Sequence, residues 1–483
     1  MLHNFLAMYN PLRFSAVLLA LLDKNYYRGG QFLRRFWTTQ NFAKLPSGVT
    51  AELSPYQGLL CAGMLVQIIS GFVLIGLRYG NNLVAGEFFG LAVIVSYPVV
   101  WAHVVALVCV LKRAIYLLLH PKKLGKALVA TVLELQVRQL QKKNDFQVVA
   151  VVGSVGKTST KLAIATVLKH SMRVQHQVGN YNDRVTVPLV FFGSPEPSIF
   201  NVAAWFKVFL ANMRLLRQPY PYDVVVVELG TDGIGFMQEF SYLKIDVAVV
   251  SAVTPEHMEY FGTLDAVAKE ELTIFDFADK VLVNTDDTPA KYLKDRTYKT
   301  YSLATKTANY AATITENGLA GQTIKVDLPA GKELVVSNQN IGKPGAKTTL
   351  AAIAVATELQ VRPTDIAKVV KQLTPFAGRM QILSGINSST LIDDTYNATP
   401  VAAEAALDAL YAAKTSQRIA ILGSMNELGE YSREAHKEVG TYCDPQKLDM
   451  VVTIGADAER WLAPIRRANC ISTAKPTCPA SCS

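Results

Sequence analysis

The segment that begins at Gln147 constrains the fold of this chain more than any other. Gln147–Val152 (QVVAVV) is a short apolar run, which is typical of a buried strand. The residues GSVGKTST follow at 153–160, and the apolar residues after them recur at helical spacing. A Gly-rich turn between a strand and a helix points backbone N–H groups at phosphate. We therefore predict a nucleotide-phosphate site within an α/β domain.

The residues of this turn have distinct expected roles. Lys157 would reach the β- and γ-phosphates of the nucleotide, and Thr158 would bind Mg²⁺ through its hydroxyl. The general phosphate-loop pattern has a Gly five positions before Gly156, but Val151 stands there, so only a shorter form is present. The other predicted phosphate-binding residues are Gly153, Ser154, Val155, Gly156 and Ser159.

Two long stretches near the N-terminus carry no charge. They are Tyr56–Leu77 and Phe88–Leu111, and each exceeds the roughly 20 residues that cross the hydrocarbon core of a bilayer. Only 18% of the 483 residues are charged, whereas soluble domains usually carry about 25%. We predict two transmembrane helices, at about 56–78 and 88–111, within a membrane region 1–119. The alternative is that both stretches are buried core helices.

The basic residues predict an orientation for these helices. Residues 1–145 hold 15 Lys and Arg against 5 Asp and Glu. The only basic residue in the loop between the two stretches is Arg78. Positively charged loops stay in the cytoplasm, so we predict a multi-pass protein of the cytoplasmic membrane with its catalytic domains facing the cytoplasm. The basic, apolar region favours membrane lipid as a partner, and no nucleic acid is expected.

Composition also excludes two broad classes of protein. Half of the residues are hydrophobic, which excludes a disordered chain. Six Cys residues in this length are too few for a disulfide scaffold.

The GxxGKTST turn resembles the phosphate loop of the Mur ligases, a family that uses ATP to join a carboxylate to an amine. Further segments resemble the family in chain order over about residues 147–465. They are GNYND at 179–183, DVVVVELG at 223–230, TPEHMEYFG at 254–262, and Gly378-Arg379 followed by DDTYNATP at 393–400. The similarity is greatest to family members that add D-alanyl-D-alanine to a UDP-muramoyl-tripeptide. The resemblance implies ATP and Mg²⁺ as cofactors.

The resemblance implies catalytic and metal-binding roles for several side chains. Lys157 and Glu228 would act at the phosphates and Mg²⁺, and His257 would help to bind a second Mg²⁺. The family carries a lysine near this point that CO₂ converts to a carbamate, and Glu271 stands at its position here. We hypothesise that the Glu271 carboxylate replaces the carbamate. The alternative is that Glu271 is a solvated helix residue and that Lys269 is modified instead.

The remaining matched segments imply substrate and nucleotide contacts. The Asn-rich loop contacts substrate in the family, although Arg184 and Thr186 depart from its pattern here. The residues implied by that loop are Asn180, Asn182 and Asp183. The later motifs neutralise phosphate charge and orient nucleotide and substrate groups, which implies roles for Arg379, Asp394 and Asn397.

Three departures separate the chain from the family pattern. Apolar helices stand where the related ligases have a domain that grips UDP. The family's Gly-Arg-His-Asn-x-x-Asn segment, which meets the adenine, reads GKPGAKT at 342–348 and lacks both Asn residues. The chain also ends soon after Trp461, so we expect a shortened C-terminal domain and a low-complexity tail.

The predicted organisation follows from these patterns. After the membrane region comes a linker helix at 120–145, which Pro121 begins. A central ATP-binding domain with a parallel sheet is expected at 146–375, because strands alternate with helices there. A smaller α/β domain is expected at 376–465, and the tail at 466–483.

The resemblance implies an ATP-dependent acid–amino-acid ligase of peptidoglycan precursor synthesis. It would activate a muramoyl-peptide carboxylate as an acyl phosphate and join it to D-alanyl-D-alanine, a D-amino-acid dipeptide. One alternative is a related ligase that acts on a lipid-linked precursor or polymerises glutamate. Another, from a different class, is a non-catalytic membrane scaffold that keeps the fold.

Overall fold

The computed structural model describes residues 9–24, 32–33, 36–37, 55–76, 83–462 and 470–473. These residues fall into two compact units, Met1–Gly125 and Lys126–Ser483.

Three helices account for most of the described part of the first unit. They are α1 (Pro11–Lys24), α2 (Pro55–Gly76) and α3 (Leu83–Leu119). Phe14, Met64 and Tyr97 are fully buried between them.

The α2 and α3 helices approach each other closely because both carry Gly at the contact. A Cβ atom on Gly71 would lie 2.9 Å from the carbonyl oxygen of Gly90, and one on Gly90 would lie 2.5 Å from the carbonyl oxygen of Gly71. Any larger residue at either position would therefore separate the helices.

Two segments of these helices are long and apolar enough to cross a membrane. They are Gln57–Ile75 and Glu87–Lys112, with mean hydropathies of 2.3 and 2.2. Length and composition alone are weak evidence for a membrane span, because the core helices of soluble proteins pass the same test.

The α4 helix (Pro121–Lys143) contributes an apolar face to the second unit. Leu133, Val137 and Leu140 are fully buried on this face. Its spacing of apolar residues follows the helical repeat, which is the pattern that predicts a linker helix in this region.

A nine-stranded sheet forms the centre of the second unit, in the order β2-β3-β1-β4-β5-β6-β7-β8-β9. Neighbouring strands from β2 to β7 are parallel, whereas β8 is antiparallel to both β7 and β9. The strands are β1 (Gln147–Val152), β2 (Val174–Gln175), β3 (Val224–Glu228), β4 (Ile245–Val250), β5 (Ala278–Asn284), β6 (Lys299–Ser302), β7 (Tyr310–Gly318), β8 (Gly321–Leu328) and β9 (Lys332–Asn338).

The central strands are largely apolar, as expected where helices cover both faces of a sheet. The helices of this region are α5 (Lys157–Leu168), α6 (Thr186–Phe192), α7 (Val202–Leu215), α8 (Met258–Phe261), α9 (Leu264–Glu271), α10 (Gly342–Glu358) and α11 (Pro363–Val370). The α5 and α10 helices pack on one face, and α4 and α6 pack on the other. The prediction of an α/β domain with a mostly parallel sheet is confirmed.

Two small sheets follow the central domain. Strands β10 (Gln381–Ser384) and β11 (Thr390–Asp393) form an antiparallel pair. The second sheet is parallel and consists of β12 (Ile419–Gly423), β13 (Met450–Ile454) and β14 (Cys470–Thr473). Helices α12 (Pro400–Ala412) and α13 (Ser432–Tyr442) pack against it. The β14 strand lies within the segment that was predicted as a low-complexity tail.

The topology of the large sheet brings the predicted catalytic segments to one edge. The carboxyl ends of parallel strands meet at the same edge, where open α/β sheets bind their ligands. The turn after β1, Glu228 at the end of β3, and Ser251 after β4 all lie at this edge.

Candidate active site

The turn after β1 has the backbone of a phosphate loop. Gly153 has a φ of 120°, and a Cβ atom there would lie 2.7 Å from the carbonyl oxygen of Ala252, so the position requires Gly. The Ser251 hydroxyl donates to the Val155 carbonyl at 2.6 Å, and Gly156 adopts a left-handed conformation just before α5. These contacts hold the turn open at the N-terminus of a helix, where an anion is stabilised.

Lys157 is the first residue of α5 and lies among carboxylates. Its Nζ donates to the Gly153 carbonyl at 2.5 Å and lies 3.4 Å from Glu256 Oε2. Burial by itself would lower the pKa of Lys157, but the carboxylates of Glu256, Glu271 and Glu228 outweigh it and raise that pKa. Lys157 therefore stays charged, as a phosphate-binding lysine must.

Thr158 and Glu228 are in direct contact below the loop. The Thr158 hydroxyl donates to Glu228 Oε1 at 3.2 Å. Lys161, one helical turn after Lys157, places its Nζ 3.1 Å from Glu228 Oε2 and 3.1 Å from the Gly179 carbonyl. Lys161 was not among the site residues predicted from the sequence. The i, i+4 spacing of Lys157 and Lys161 nevertheless puts both lysines on the same helix face.

His257 lies at the start of α8 with an unusual backbone conformation. Its φ of 49° is in the left-handed region, which residues other than Gly rarely adopt. Its Nδ1 lies against the carboxylate of Glu427, and its Nε2 lies 3.6 Å from Glu256 Oε1 and 4.0 Å from Asp232 Oδ1.

Glu271 is buried directly beneath the phosphate loop. Its Oε2 accepts the Gly153 N–H at 2.6 Å, and its Oε1 accepts the Thr231 hydroxyl at 3.0 Å. Burial raises the pKa of Glu271 to about 7. The side chain is 2% exposed, whereas Lys269 lies on the exposed face of the same helix. The structure thus gives no support to the alternative in which Glu271 is a solvated helix residue.

Some residues of the Asn-rich loop line the cavity, and others make contacts within the protein. Asn180 and Asn182 line a cavity beside the phosphate loop. Asp183, by contrast, accepts the N–H of Thr186 at 2.8 Å and its hydroxyl at 2.7 Å, which caps the start of α6. A substrate contact of Asp183 stays a prediction, and the structure shows this carboxylate at the start of α6 rather than among the residues that line the cavity.

Arg379 and its neighbours face the phosphate loop from the C-terminal domain. The guanidinium carbon of Arg379 lies 4.3 Å from the centre of the Tyr396 ring, and Nε has no hydrogen-bond partner among the described residues. Asp394 accepts the Met380 N–H at 3.0 Å, and burial raises the pKa of Asp394 to about 6. Asn397 lines the same cavity as Asn180.

Two cavities meet at the phosphate loop. The smaller, about 290 Å³, is lined by four of the five predicted catalytic residues, Lys157, Glu228, His257 and Arg379, whereas Glu271 is not among its lining residues. The larger, about 700 Å³, extends from Gly156 to the start of α10 and to Asp394. This arrangement has room for a nucleotide on one side of the loop and for a second substrate on the other.

The larger cavity contains the segment that departs from the family pattern. Lys343, Pro344 and Lys347 lie at the start of α10 and line it. The Lys347 Nζ contacts Asp287 at 2.7 and 2.8 Å. Gly345 and Thr348 stand at the two positions where the family pattern has Asn, and Lys347 of the Lys347–Asp287 ion pair lies between them in the sequence.

The chemistry of these side chains fits Mg²⁺ bound together with nucleotide. Within the described residues, no group of three or more His, Cys, Asp or Glu is arranged to hold a metal ion. Mg²⁺ usually takes one or two carboxylates and completes its shell with phosphate oxygens and water. Glu228 and the Thr158 hydroxyl provide such oxygen ligands next to the phosphate loop. His257 is not in contact with this pair, so a ligand role for it concerns a separate position.

Comparisons with known proteins agree with this geometry. Residues 151–356 match the Mur ligase middle domain, and residues 378–476 match the glutamate ligase domain of Mur ligases. This chain carries the middle and C-terminal domains of the Mur ligase family. The family resemblance that the sequence motifs predict is thus confirmed for these two domains.

Two curated relatives of these Mur ligase domains have the same name. UDP-N-acetylmuramoyl-tripeptide–D-alanyl-D-alanine ligase of Bacillus subtilis (strain 168) is 27% identical over 319 residues, which cover 64% of this chain and 63% of the relative. The ligase of the same name from Escherichia coli (strain K12) is 26% identical over 317 residues, which cover 64% of each chain. The chain thus spans less than two thirds of the length of these relatives.

Solved structures share the fold of the Mur ligase domains. MurF from Acinetobacter baumannii superposes with a TM-score of 0.60 at 22% identity, covering 72% of this chain and 71% of that one. MurF from Thermotoga maritima, solved in complex with ADP, superposes with a TM-score of 0.57 at 23% identity. The match covers 72% of this chain and 74% of that one. At these identities the likeness establishes the fold.

The prediction of a multi-pass protein of the cytoplasmic membrane is wrong. The homologous MurF ligases are soluble cytoplasmic enzymes, and two apolar helices do not establish a multi-pass protein. A membrane lipid partner is not supported either. The sequence misled because the length and the lack of charge of a segment do not by themselves establish a membrane span.

Proposed function

We propose that this Mur ligase is an ATP-dependent enzyme that forms a C–N amide bond in peptidoglycan precursor synthesis. Its substrates would be a UDP-linked muramoyl tripeptide and D-alanyl-D-alanine, the pair that the names of its relatives give. The reaction would pass through an acyl phosphate on the peptide carboxylate, which the amine of the dipeptide then attacks.

One observation carries this proposal. The 290 Å³ cavity combines a phosphate-loop lysine and Glu228 from the central domain with Arg379 and Asn397 from the C-terminal domain. Phosphoryl transfer needs positioning and neutralisation of charge more than a protein nucleophile. A cavity with cations on two sides and polar groups between them supplies these needs.

The two cations would stabilise the charge that develops during phosphoryl transfer. Lys157 approaches from the phosphate loop, and Arg379 approaches from the opposite wall of the cavity. The Arg379 guanidinium packs on Tyr396, so its orientation is fixed before substrate binds. Preorganised charges of this kind stabilise the transition state without reorganisation at the moment of reaction.

Thr158 and Glu228 would hold Mg²⁺ with the nucleotide phosphates. When bound, the ion would supply positive charge that polarises the transferred phosphoryl group. The hydrogen bond from the Thr158 hydroxyl to Glu228, and the ion pair from Lys161 to the same carboxylate, hold Glu228 in place.

Glu271 would supply a carboxyl group of its own at the position of the family's carbamylated lysine. Its two oxygens accept from Gly153 and Thr231, so the carboxylate fixes the phosphate loop and the loop that follows β3. Because Glu271 carries its own carboxylate, activity would not depend on dissolved CO₂.

Asn180 and Asn182 would contact the peptide substrate. Both line the smaller cavity, and Arg184 holds their loop through Glu134 of α4 at 2.5 Å. The closed arrangement of the two domains around this cavity would exclude water, which protects an acyl phosphate from hydrolysis.

Phosphate release from ATP tests the proposal. The full chain would be assayed with ATP, Mg²⁺, UDP-muramoyl-tripeptide and D-alanyl-D-alanine, with each substrate omitted in turn. We expect release that requires both substrates, and a loss of at least about 100-fold in Lys157→Ala because a preorganised cation is removed. Lys169→Ala is the matched control, since Lys169 is an exposed lysine at the end of the same helix.

Each contrary outcome has a distinct meaning. Phosphate release without the dipeptide would refute the proposed ligase and leave an ATPase. A folded chain that releases no phosphate under any combination would favour the non-catalytic alternative. Loss of activity in CO₂-depleted buffer would refute the role given to Glu271.

A further inference from the structure

The C-terminal domain contacts the central domain at the predicted metal-ligating histidine. Glu427 lies in the loop after β12, and its carboxylate lies against Nδ1 of His257. The two residues belong to different domains and line the same 290 Å³ cavity. No sequence motif connects them.

The orientation of the imidazole ring determines which of its nitrogens faces the cavity. With Nδ1 against Glu427, Nε2 faces Glu256 and Asp232 at 3.6 and 4.0 Å. A histidine that ligates a metal through one nitrogen almost always donates the N–H of the other to a carboxylate or carbonyl. His257 Nδ1 is buried and makes no hydrogen bond of good geometry among the described residues, although the Glu427 carboxylate lies against it. Glu427 is therefore the group able to accept the Nδ1 N–H, which leaves Nε2 as the nitrogen that faces the cavity.

Both residues are held in conformations that cost free energy. His257 has a φ of 49° and Glu427 has a φ of 62°, and neither is Gly. Left-handed conformations of such residues persist where the surroundings enforce them, and they cluster at functional sites. The side chains of His257 and Glu427 meet across the boundary between the central and C-terminal domains.

Backbone contacts fix the approach of the two loops. The Glu259 N–H donates to the Glu427 carbonyl at 3.3 Å. A Cβ atom on Gly429 would lie 2.9 Å from Glu259 Cα, so the loops touch where no side chain fits. The contact of His257 with Glu427 therefore depends on this close packing of the two domains.

A buried network holds the Glu427 loop from behind. The His436 imidazole is fully buried, accepts the Met425 N–H at Nε2 at 3.0 Å, and therefore carries its proton on Nδ1, next to the Ser432 carbonyl at 2.7 Å. The Ser432 hydroxyl in turn donates to Asp457 at 2.6 Å. The loop thus moves with the C-terminal domain as one body.

We propose that Glu427 is a positioning residue for His257, and that it couples closure of the C-terminal domain to the metal affinity of the active site. When the domains are together, Glu427 fixes the ring orientation and the tautomer that present Nε2 to the cavity. When they separate, His257 loses this partner and binds a cation more weakly. The inference rests on the proposed function, because it requires a divalent cation at the nucleotide.

Mn²⁺ binding by the full chain in the presence of ADP tests the proposal. The free Mn²⁺ concentration, followed by electron paramagnetic resonance, gives the affinity without any turnover. We expect Glu427→Gln and Glu427→Ala to weaken Mn²⁺ binding about 10- to 100-fold, the usual effect of removing such a partner. Glu430→Gln is the matched control, since Glu430 is an exposed carboxylate three residues later in the same loop.

The double variant separates positioning from a general structural effect. If Glu427 acts through His257, Glu427→Gln should weaken Mn²⁺ binding no further in a His257→Ala background. The affinity for ADP without metal should be unchanged in every variant.

Two results would overturn the inference. One is wild-type Mn²⁺ affinity in both Glu427 variants, and the other is a full additional loss in the His257→Ala background. A wild-type chain that binds no Mn²⁺ with ADP would instead overturn the proposed function, and the inference with it.

Discussion

Replacement of Glu271 by Gln should change how the stability of the protein depends on pH. Glu271 lies beneath the phosphate loop with 2% of its surface exposed. Burial raises its pKa to about 7, while the charge of Lys157 opposes this shift and the charge of Glu256 adds to it. Gln has nearly the same shape but cannot take up or release the proton.

The magnitude follows from the difference between the folded and unfolded pKa values. An unfolded Glu has a pKa of 4.5, so between that value and about 7 the folded state binds the proton more tightly. The contribution of this proton to the unfolding free energy is fully present below the pKa of the unfolded state. It is lost as the pH rises through the pKa of the folded state. Wild type should therefore lose about 2.5 kcal/mol of unfolding free energy between about pH 5 and about pH 8, relative to Glu271→Gln.

Hydrogen bonding should contribute little to this difference. The Gln carbonyl can accept the Gly153 N–H, and the Thr231 hydroxyl can turn to accept from the Gln amide. The pH-dependent part of the comparison therefore reports the titration of a single carboxyl group.

Chemical denaturation of the full chain at a series of pH values, in the presence of a chelator, measures the effect. The quantity of interest is the difference in unfolding free energy between variant and wild type at each pH. Glu430→Gln, an exposed carboxylate, should give a difference that stays constant. The reasoning would be refuted if Glu271→Gln gave an equally constant difference, because Glu271 would then titrate alike in the folded and unfolded states.

Two further predictions concern charged side chains around the cavity. Arg184→Gln and Glu134→Gln, made singly and together, should show a coupling of about 1–2 kcal/mol in a double-mutant cycle of unfolding free energies. Their atoms lie 2.5 Å apart and both side chains are largely buried, so purely additive effects would contradict the pairing. Arg379→Lys should lower kcat for phosphate release about 10- to 100-fold, because Lys lacks the planar guanidinium that packs on Tyr396. Wild-type kcat in this variant would show that Arg379 acts only as a point charge.

The elements with strong local patterns could be predicted from the sequence. QVVAVV and DVVVVEL each contain an unbroken run of apolar residues, and the structure has buried parallel strands at both places. The turn between strand and helix likewise has Gly at the two positions, 153 and 156, where φ is positive. Such features depend on residues that are close in sequence.

Contacts between distant segments could not be predicted in this way. Nothing in the pattern around His257 indicates that Glu427 lies against it, because the contact depends on how two domains pack. The substrate contact of Asp183 stays a prediction. Its position three residues before Thr186 is also a helix-cap signal, and the structure shows the corresponding hydrogen bond.

The strand order also has a consequence for how the chain folds. β1 lies between β3 and β4, and its first residue pairs with Val224 while Val149 pairs with Val247. An apolar central strand therefore leaves the ribosome long before either of its neighbours. Pairings of such high contact order form slowly, and unpaired strands are prone to associate with other chains meanwhile. We expect the yield of native protein to depend on the rate of synthesis, because slower synthesis lengthens the time that β1 spends unpaired.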